Sequence, residues 1–180
     1  MFTGSDVVAL RQKTGAGILD CKKALTETNG DMEKAVDYLR EKGIATAAKK
    51  ASRIAAEGIV AAKIEGNVGA MVEVNCETDF AAKGDQYKNF VNGVVDYVLK
   101  NDVKDTEELI AAKNDETVEA TAKIGEKIAI RRFEKYAAAH GMVESYIHMG
   151  GKVGVLVEID ADNVNDDVKA FAHDVALQIA

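Results

Sequence analysis

The spacing of apolar residues changes near residue 57 of this chain. Before that point the spacing is three or four positions, which is the period of a helix with one buried face and is clearest at Met32, Ala35, Val36 and Leu39. After it, residues 59–64 and 69–76 are strand-like runs, and residues 65–68 between them suit a hairpin turn. Helices and antiparallel strands in separate stretches of one chain predict an α+β fold.

Three short helices are predicted before this change, and the third is expected to end at Gly43. The second helix carries Ile18 on the same face as Leu25, whereas Leu19 lies about 100° further round among polar residues. Leu19 is therefore an apolar side chain on a mostly polar face. Ile18 suits a partner contact and the small core of the three helices equally well.

The rest of the chain is predicted to mix helices and strands. After the hairpin comes a long helix, whose apolar face is formed by Tyr87, Phe90, Val91, Val94 and Val98. The acidic residues 101–121 are expected to hold one or two short helices, and strands are predicted at residues 128–133, 143–148 and 153–159. A final helix is expected to bury a face formed by Val164, Val168, Phe171, Ala172, Val175 and Ile179.

The charge distribution and hydropathy exclude several classes of protein. The 180-residue chain has a net charge of −7, although residues 1–56 hold ten Lys and Arg against seven Asp and Glu, or +3. The acidic remainder argues against broad nucleic-acid binding, because that affinity comes from neutralising phosphates. No apolar run approaches the roughly 20 residues of a membrane span, and the N-terminus lacks a signal-peptide pattern, so we expect a cytoplasmic protein without a membrane partner.

Motifs for catalysis and nucleotide binding are missing. The nearest match to a phosphate-binding loop fails because Lys152 is followed by Val153 rather than by Ser or Thr. The three histidines, His140, His148 and His173, and the two separated cysteines do not have the spacing of metal ligands or of a nucleophile and its base. We therefore expect no enzyme chemistry, no metal and no cofactor.

Residues 78–80 allow two interpretations. Thr78, Asp79 and Phe80 follow the second strand at the point where its alternation stops. In the first interpretation Thr78 or Asp79 caps the next helix and Phe80 fills the core, where aromatic residues usually lie. In the second, the ring and the carboxylate are presented to a partner.

Four segments, in this order along the chain, resemble the elongation factor Ts family. They are TGAGILDCKKAL at residues 14–25, NCETDF at residues 75–80, AKIGE at residues 122–126 and GVLV at residues 154–157. The first two are highly specific, and the resemblance extends over essentially all 180 residues.

The resemblance implies a guanine-nucleotide exchange factor for elongation factor Tu that makes no covalent bond. In the family the Thr-Asp-Phe turn enters the partner's GTPase domain near its magnesium and phosphate site. That role would pass to Thr78, Asp79, Phe80 and Ala81, and Ala81 stands where the family commonly has valine. The partner would be bound in its GDP-bound and nucleotide-free forms.

Two further contacts with the partner are implied by the resemblance. Arg11, Ile18 and Leu19 would press on a helix of the GTPase domain, and Ile18 and Leu19 replace a pair that is often Met-Met. His148 matches a position that in the family contacts another domain of the partner. The departure at Ala81 and the one at Ile18 and Leu19 both keep an apolar side chain. They are therefore expected to change the affinity for the partner rather than abolish binding.

The resemblance also implies the domain organisation. Residues 1–43 would form a three-helix domain similar to ubiquitin-associated domains, 44–56 a helical connector, 57–140 the first subdomain of an α/β core, and 141–180 the start of an incomplete second subdomain. We expect the native chain to continue beyond Ala180, with possible homodimerisation of the longer form. Two alternatives remain: an RNA-binding or ribosome-binding module using the basic residues of segment 42–53, and a ubiquitin-binding module.

Overall fold

The computed structural model describes residues 2–180, which form eight helices and two small antiparallel sheets. The helices are α1 (Gly4–Thr14), α2 (Ile18–Glu27), α3 (Met32–Lys50), α4 (Asp79–Lys83), α5 (Asp85–Lys100), α6 (Thr106–Ala112), α7 (Asn114–Ile124) and α8 (Asp166–Ile179). The strands are β1 (Glu57–Glu65), β2 (Val68–Cys76), β3 (Ala129–Ala137), β4 (Met142–His148) and β5 (Val153–Ile159). The predicted α+β class is confirmed. None of the helices within residues 2–180 is both long and apolar enough to cross a membrane.

Helices α1, α2 and α3 enclose a small core of their own. Its fully buried members are Leu10, Cys21, Ala24, Leu25 and Ala35. Helix α1 begins with a capping box between Thr3 and Asp6, and α3 is capped by Asp31, whose side chain accepts two backbone N–H groups. The three predicted helices are confirmed, whereas their likeness to ubiquitin-associated domains stays a prediction.

The prediction that Gly43 ends the third helix is wrong, because α3 continues for another seven residues to Lys50. Gly43 is buried inside the helix, and a Cβ atom there would lie 3.4 Å from the Cβ of Ala122 on α7. Contact with α7 therefore stabilises the helix beyond its glycine. Residues 51–56 form turns and extended chain, so the connector is helical only in part. The domain boundaries as such stay predictions.

The first sheet has the order β1-β2-β3, with antiparallel neighbours throughout. One of its faces packs on α5. The predicted alternation is confirmed, since Val72, Val74 and Cys76 are fully buried on that face. Tyr87 on α5 is also fully buried and donates its hydroxyl hydrogen bond to the carbonyl oxygen of Val74 at 2.5 Å. This packing fixes the end of β2, where the Thr78-Asp79-Phe80 turn begins.

The hairpin of β4 and β5 packs on the opposite face of the first sheet. Close approach requires glycine at two positions: a Cβ at Gly69 would lie 2.5 Å from Val143, and one at Gly154 would lie 2.6 Å from Val60. Helix α8 covers the outer face of the hairpin.

The buried contact of α8 is narrower than predicted. Ala172 and Ala176 are buried, but Phe171 and Ile179 from the predicted buried face are exposed. Small side chains let the helix approach the strands, and the larger ones of the expected face lie toward solvent.

Candidate protein-binding site

The Thr78-Asp79-Phe80 turn lies where the chain passes from β2 into the short helix α4: Thr78 precedes the helix, and Asp79 and Phe80 are its first two residues. The Thr78 side chain caps α4 by accepting the backbone N–H of Ala81 at 3.2 Å. Phe80, the second residue of α4, is 82% exposed, so the interpretation of Phe80 as a core plug is wrong. Ala82 is the buried residue of α4, with Ala81 partly buried beside it. The helix therefore packs through alanines and leaves its aromatic ring free.

The Asp79 carboxylate lies beside a cation on the same short helix. Lys83 Nζ is 2.6 Å from Asp79 Oδ2 and 5.9 Å from the centre of the Phe80 ring. The hydrogen bond from Lys83 lowers the pKa of Asp79, so the carboxylate is charged at neutral pH. A ring, a carboxylate and an ammonium group are thus presented together.

The turn is held by residues from the loop between α7 and β3. Glu126 Oε2 accepts the backbone N–H groups of Glu77 at 3.1 Å and Thr78 at 2.9 Å, and Glu126 Oε1 accepts the Thr78 hydroxyl at 2.7 Å. In return, Glu77 Oε1 accepts the backbone N–H of Lys127 at 2.6 Å. We call these four residues, Glu77, Thr78, Glu126 and Lys127, the carboxylate clamp.

Sequence reasoning assigned no role to Glu126 or Lys127. The available signal was the AKIGE segment at residues 122–126, which carried part of the family resemblance without a function attached.

The segment after α3 contacts the carboxylate clamp, and the C-terminal end of α3 contacts the residue just before Glu126. Arg53 lies 3.2 Å from a carboxylate oxygen of Glu77, and Lys127 Nζ donates to the Arg53 carbonyl oxygen at 2.9 Å. Lys50 Nζ donates to the Gly125 carbonyl oxygen at 2.6 Å. The hydrogen bond from the Lys127 backbone and then Arg53 lower the pKa of Glu77. Lys50 and Arg53, two cations of the basic segment 42–53, therefore bind groups of this chain. This weakens the RNA-binding alternative.

The second predicted contact lies on the three-helix part of the chain. Arg11 is exposed at the end of α1, and Leu19 is 79% exposed near the start of α2. Ile18 is 48% exposed and lies outside the buried core, although Leu25 on the same predicted face is fully buried. All three side chains are accessible to a partner. Their proposed role stays a prediction.

The third predicted contact, His148, is exposed at the end of β4. Its Nδ1 atom lies 3.0 Å from the Tyr146 hydroxyl, and its carbonyl oxygen accepts the backbone N–H groups of Gly151 and Lys152 at 3.1 Å. The structure places these residues on different elements, Leu19 on α2, His148 at the end of β4 and Phe80 on α4.

One cleft lies beside the first sheet, and its charged side chains are already paired. A cleft of about 400 Å³ lies between β1 and the turn that precedes β5. Its charged side chains pair with each other, Lys152 with Glu57 at 2.5 Å and Arg132 with Glu73 at 2.6 Å. Across the described part of the chain, no three His, Cys, Asp or Glu side chains are placed to hold a metal ion.

Comparison with known proteins gives consistent matches. The family model of elongation factor Ts matches residues 77–180. Over its full length the chain is 49% identical to "Elongation factor Ts" of Clostridium perfringens and 47% identical to that of Clostridium novyi. Over 97% of its length it is 50% identical to that of Halothermothrix orenii.

The chain spans 62% of the length of each of these curated relatives. The matched segment of the family model includes Asp79, Phe80 and Glu126, and the relatives extend the similarity through the three N-terminal helices. The resemblance inferred from the four segments is thereby confirmed, and the chain belongs to the elongation factor Ts family.

Proposed function

We propose that this chain binds elongation factor Tu and promotes release of its GDP, so that GTP can bind. The observation that carries the proposal is Phe80: a large apolar ring that is 82% exposed, on a helix of five residues joined to a hydrogen-bonded turn. Exposed aromatic side chains on a backbone fixed by hydrogen bonds are typical anchors of protein interfaces. The identity of the partner is inferred from the family to which the chain belongs.

In the proposed mechanism Phe80 is buried between elements of the partner's GTPase domain. Burial of a phenyl ring contributes roughly 1.5–3 kcal/mol, which is enough to favour one of two packed arrangements. Asp79, as a charged carboxylate, disturbs the binding of Mg²⁺ and of the phosphates. Because coupling between two ligands is reciprocal, GDP weakens the binding of this chain as much as the chain weakens GDP.

The surface around Arg11, Ile18 and Leu19 would make a second contact with the GTPase domain, and His148 a third with another domain of the partner. Exchange by this route makes and breaks no covalent bond, and we place it in the cytoplasm, where translation occurs. The partner is a protein, and no direct nucleic-acid contact is proposed.

The test is release of a fluorescent GDP analogue from elongation factor Tu, chased with unlabelled GDP, with the chain or buffer added. Acceleration is expected with Mg²⁺ present. It should be smaller when Mg²⁺ is chelated, because the loss of Mg²⁺, which is the step that the chain is proposed to assist, has then already occurred. Asp79→Asn is expected to reduce the acceleration, and Asp85→Asn, an exposed acidic control six residues away, to leave it unchanged. Release no faster than in buffer would refute the proposal.

A further inference from the structure

We propose that Glu126 is a positioning residue for the exchange reaction, which holds the Thr78-Asp79-Phe80 turn in the conformation that presents Phe80. This inference rests on the proposed function and adds a residue that acts through the turn. It arises from the carboxylate clamp, in which residues 48 and 49 positions apart are joined by three hydrogen bonds.

Both oxygens of the Glu126 carboxylate are used on the turn. Oε2 accepts the N–H groups of Glu77 and Thr78, which follow the last residue of β2 at Cys76. Neither N–H belongs to a strand ladder or to the hydrogen bonds of α4. One side chain thus satisfies two backbone donors that secondary structure leaves free. Hydrogen bonds to a charged acceptor are stronger than those between neutral groups.

The Thr78 hydroxyl connects Glu126 to α4. It donates to Glu126 Oε1 at 2.7 Å and accepts the backbone N–H of Ala81 at 3.2 Å. Because the hydroxyl donates its hydrogen bond to Glu126, the lone pairs of its oxygen are available to accept the N–H of the helix. Glu126 thus supports both the turn and the cap of the helix that carries Phe80.

The core does little to fix the direction of Phe80. The ring is mostly exposed, and α4 has only five residues, too few for a helix that is stable without its cap and its neighbours. Without Glu126 we expect the turn to sample other conformations. The apparent affinity for the partner then falls by the fraction of chains that present Phe80, whereas the rate at saturation is kept.

The test compares the wild-type chain with Glu126→Ala and with the control Glu134→Ala. Glu134 is an exposed carboxylate on β3 that has no side-chain hydrogen bond or ion pair within residues 2–180. The first measurement is hydrogen exchange of the backbone amides of residues 77 and 78 in the chain alone. We expect exchange about tenfold faster in Glu126→Ala and unchanged in Glu134→Ala, because a charged acceptor is removed only from the first.

The second measurement is GDP release as a function of chain concentration. Glu126→Ala is expected to raise the half-saturating concentration about tenfold and to keep the maximal rate within about twofold. If the role of Glu126 were purely structural, Glu126→Ala would lower the melting temperature and would not raise the half-saturating concentration while keeping the maximal rate. If Glu126→Ala does not fold, Glu126→Gln, which keeps the shape and one acceptor oxygen, takes its place with a smaller shift in the same direction.

Three results would overturn the inference. Equal amide protection in wild type and Glu126→Ala would show that the carboxylate does not hold the turn. An unchanged half-saturating concentration, with wild-type acceleration intact, would refute the positioning role alone. A wild-type chain that fails to accelerate release would refute the proposed function together with the role that depends on it.

Discussion

Substituting Phe80 by alanine should separate binding from stability. A Phe→Ala change in a packed core costs about 3–5 kcal/mol, because it leaves a cavity. Phe80 is 82% exposed, and its recognisable contact is Lys83 Nζ at 5.9 Å from the ring centre. We therefore expect the free energy of unfolding to change by no more than about 0.5 kcal/mol.

The expected loss in partner binding follows from the area that remains to be buried. Burying a whole phenyl side chain contributes about 1.5–3 kcal/mol, and because Phe80 as a residue is 82% exposed, about 1.2–2.5 kcal/mol remains to be gained. A loss of that size is about 8-fold to 70-fold in an equilibrium constant. The same factor should appear in the stimulated rate of GDP release if the ring is buried at the step that expels the nucleotide.

The assay is titration of elongation factor Tu, loaded with a fluorescent GDP analogue, with wild type, Phe80→Ala and Phe171→Ala. Phe171 on α8 is 59% exposed and serves as the matched control for loss of an exposed ring. Urea unfolding of the same three proteins supplies the stability comparison. Wild-type stimulation by Phe80→Ala, or an equal loss in Phe171→Ala, would refute the assignment of Phe80 as the anchor.

Three other predictions test the fold and the second contact. Gly43→Ala should raise the free energy of unfolding by about 0.5–1 kcal/mol in urea titrations, since the position is helical and has room for one methyl group; a decrease would contradict the course of α3. Glu77 has a pKa below its ordinary 4.5, chiefly because it accepts the Lys127 backbone N–H, so its stabilising effect is present above pH 4.5 and lost as pH falls through the lowered value. The urea midpoint of Glu77→Gln should consequently depend less on pH than that of wild type below pH 4.5, and parallel curves would exclude this contribution. Leu19→Ala should leave stability nearly unchanged but weaken binding to elongation factor Tu, whereas Leu10→Ala, at a fully buried position, should cost about 2–5 kcal/mol; equal stability losses would contradict the packing.

The hairpin of β1 and β2 shows what local sequence determines. Its alternation predicted correctly that Val72, Val74 and Cys76 share a face, and the structure buries all three. This succeeds because side chains in a strand point to opposite faces in turn, so a buried sheet face is written directly in the sequence.

Gly43 and α8 show what local sequence leaves open. A glycine after an apolar repeat is a common helix end, but packing against α7 continues α3 past Gly43. On α8 the helical period identifies an apolar face but does not predict which of its residues pack against the sheet. Ala172 is buried and Phe171 exposed, because the hairpin beneath accepts small side chains.

The candidate site combines both situations. Phe80 follows a strand whose register was predictable, yet its exposure depends on α4 packing through alanines, which composition does not reveal. Glu126 lies 48 residues from Thr78, and no periodicity relates a loop carboxylate to backbone N–H groups so far away in the chain. Those N–H groups nevertheless had to find an acceptor, because a strand that stops and a helix that starts leave donors free between them. The sequence therefore predicts that the N–H groups of a strand-to-helix turn need an acceptor, but it does not predict that Glu126 is that acceptor.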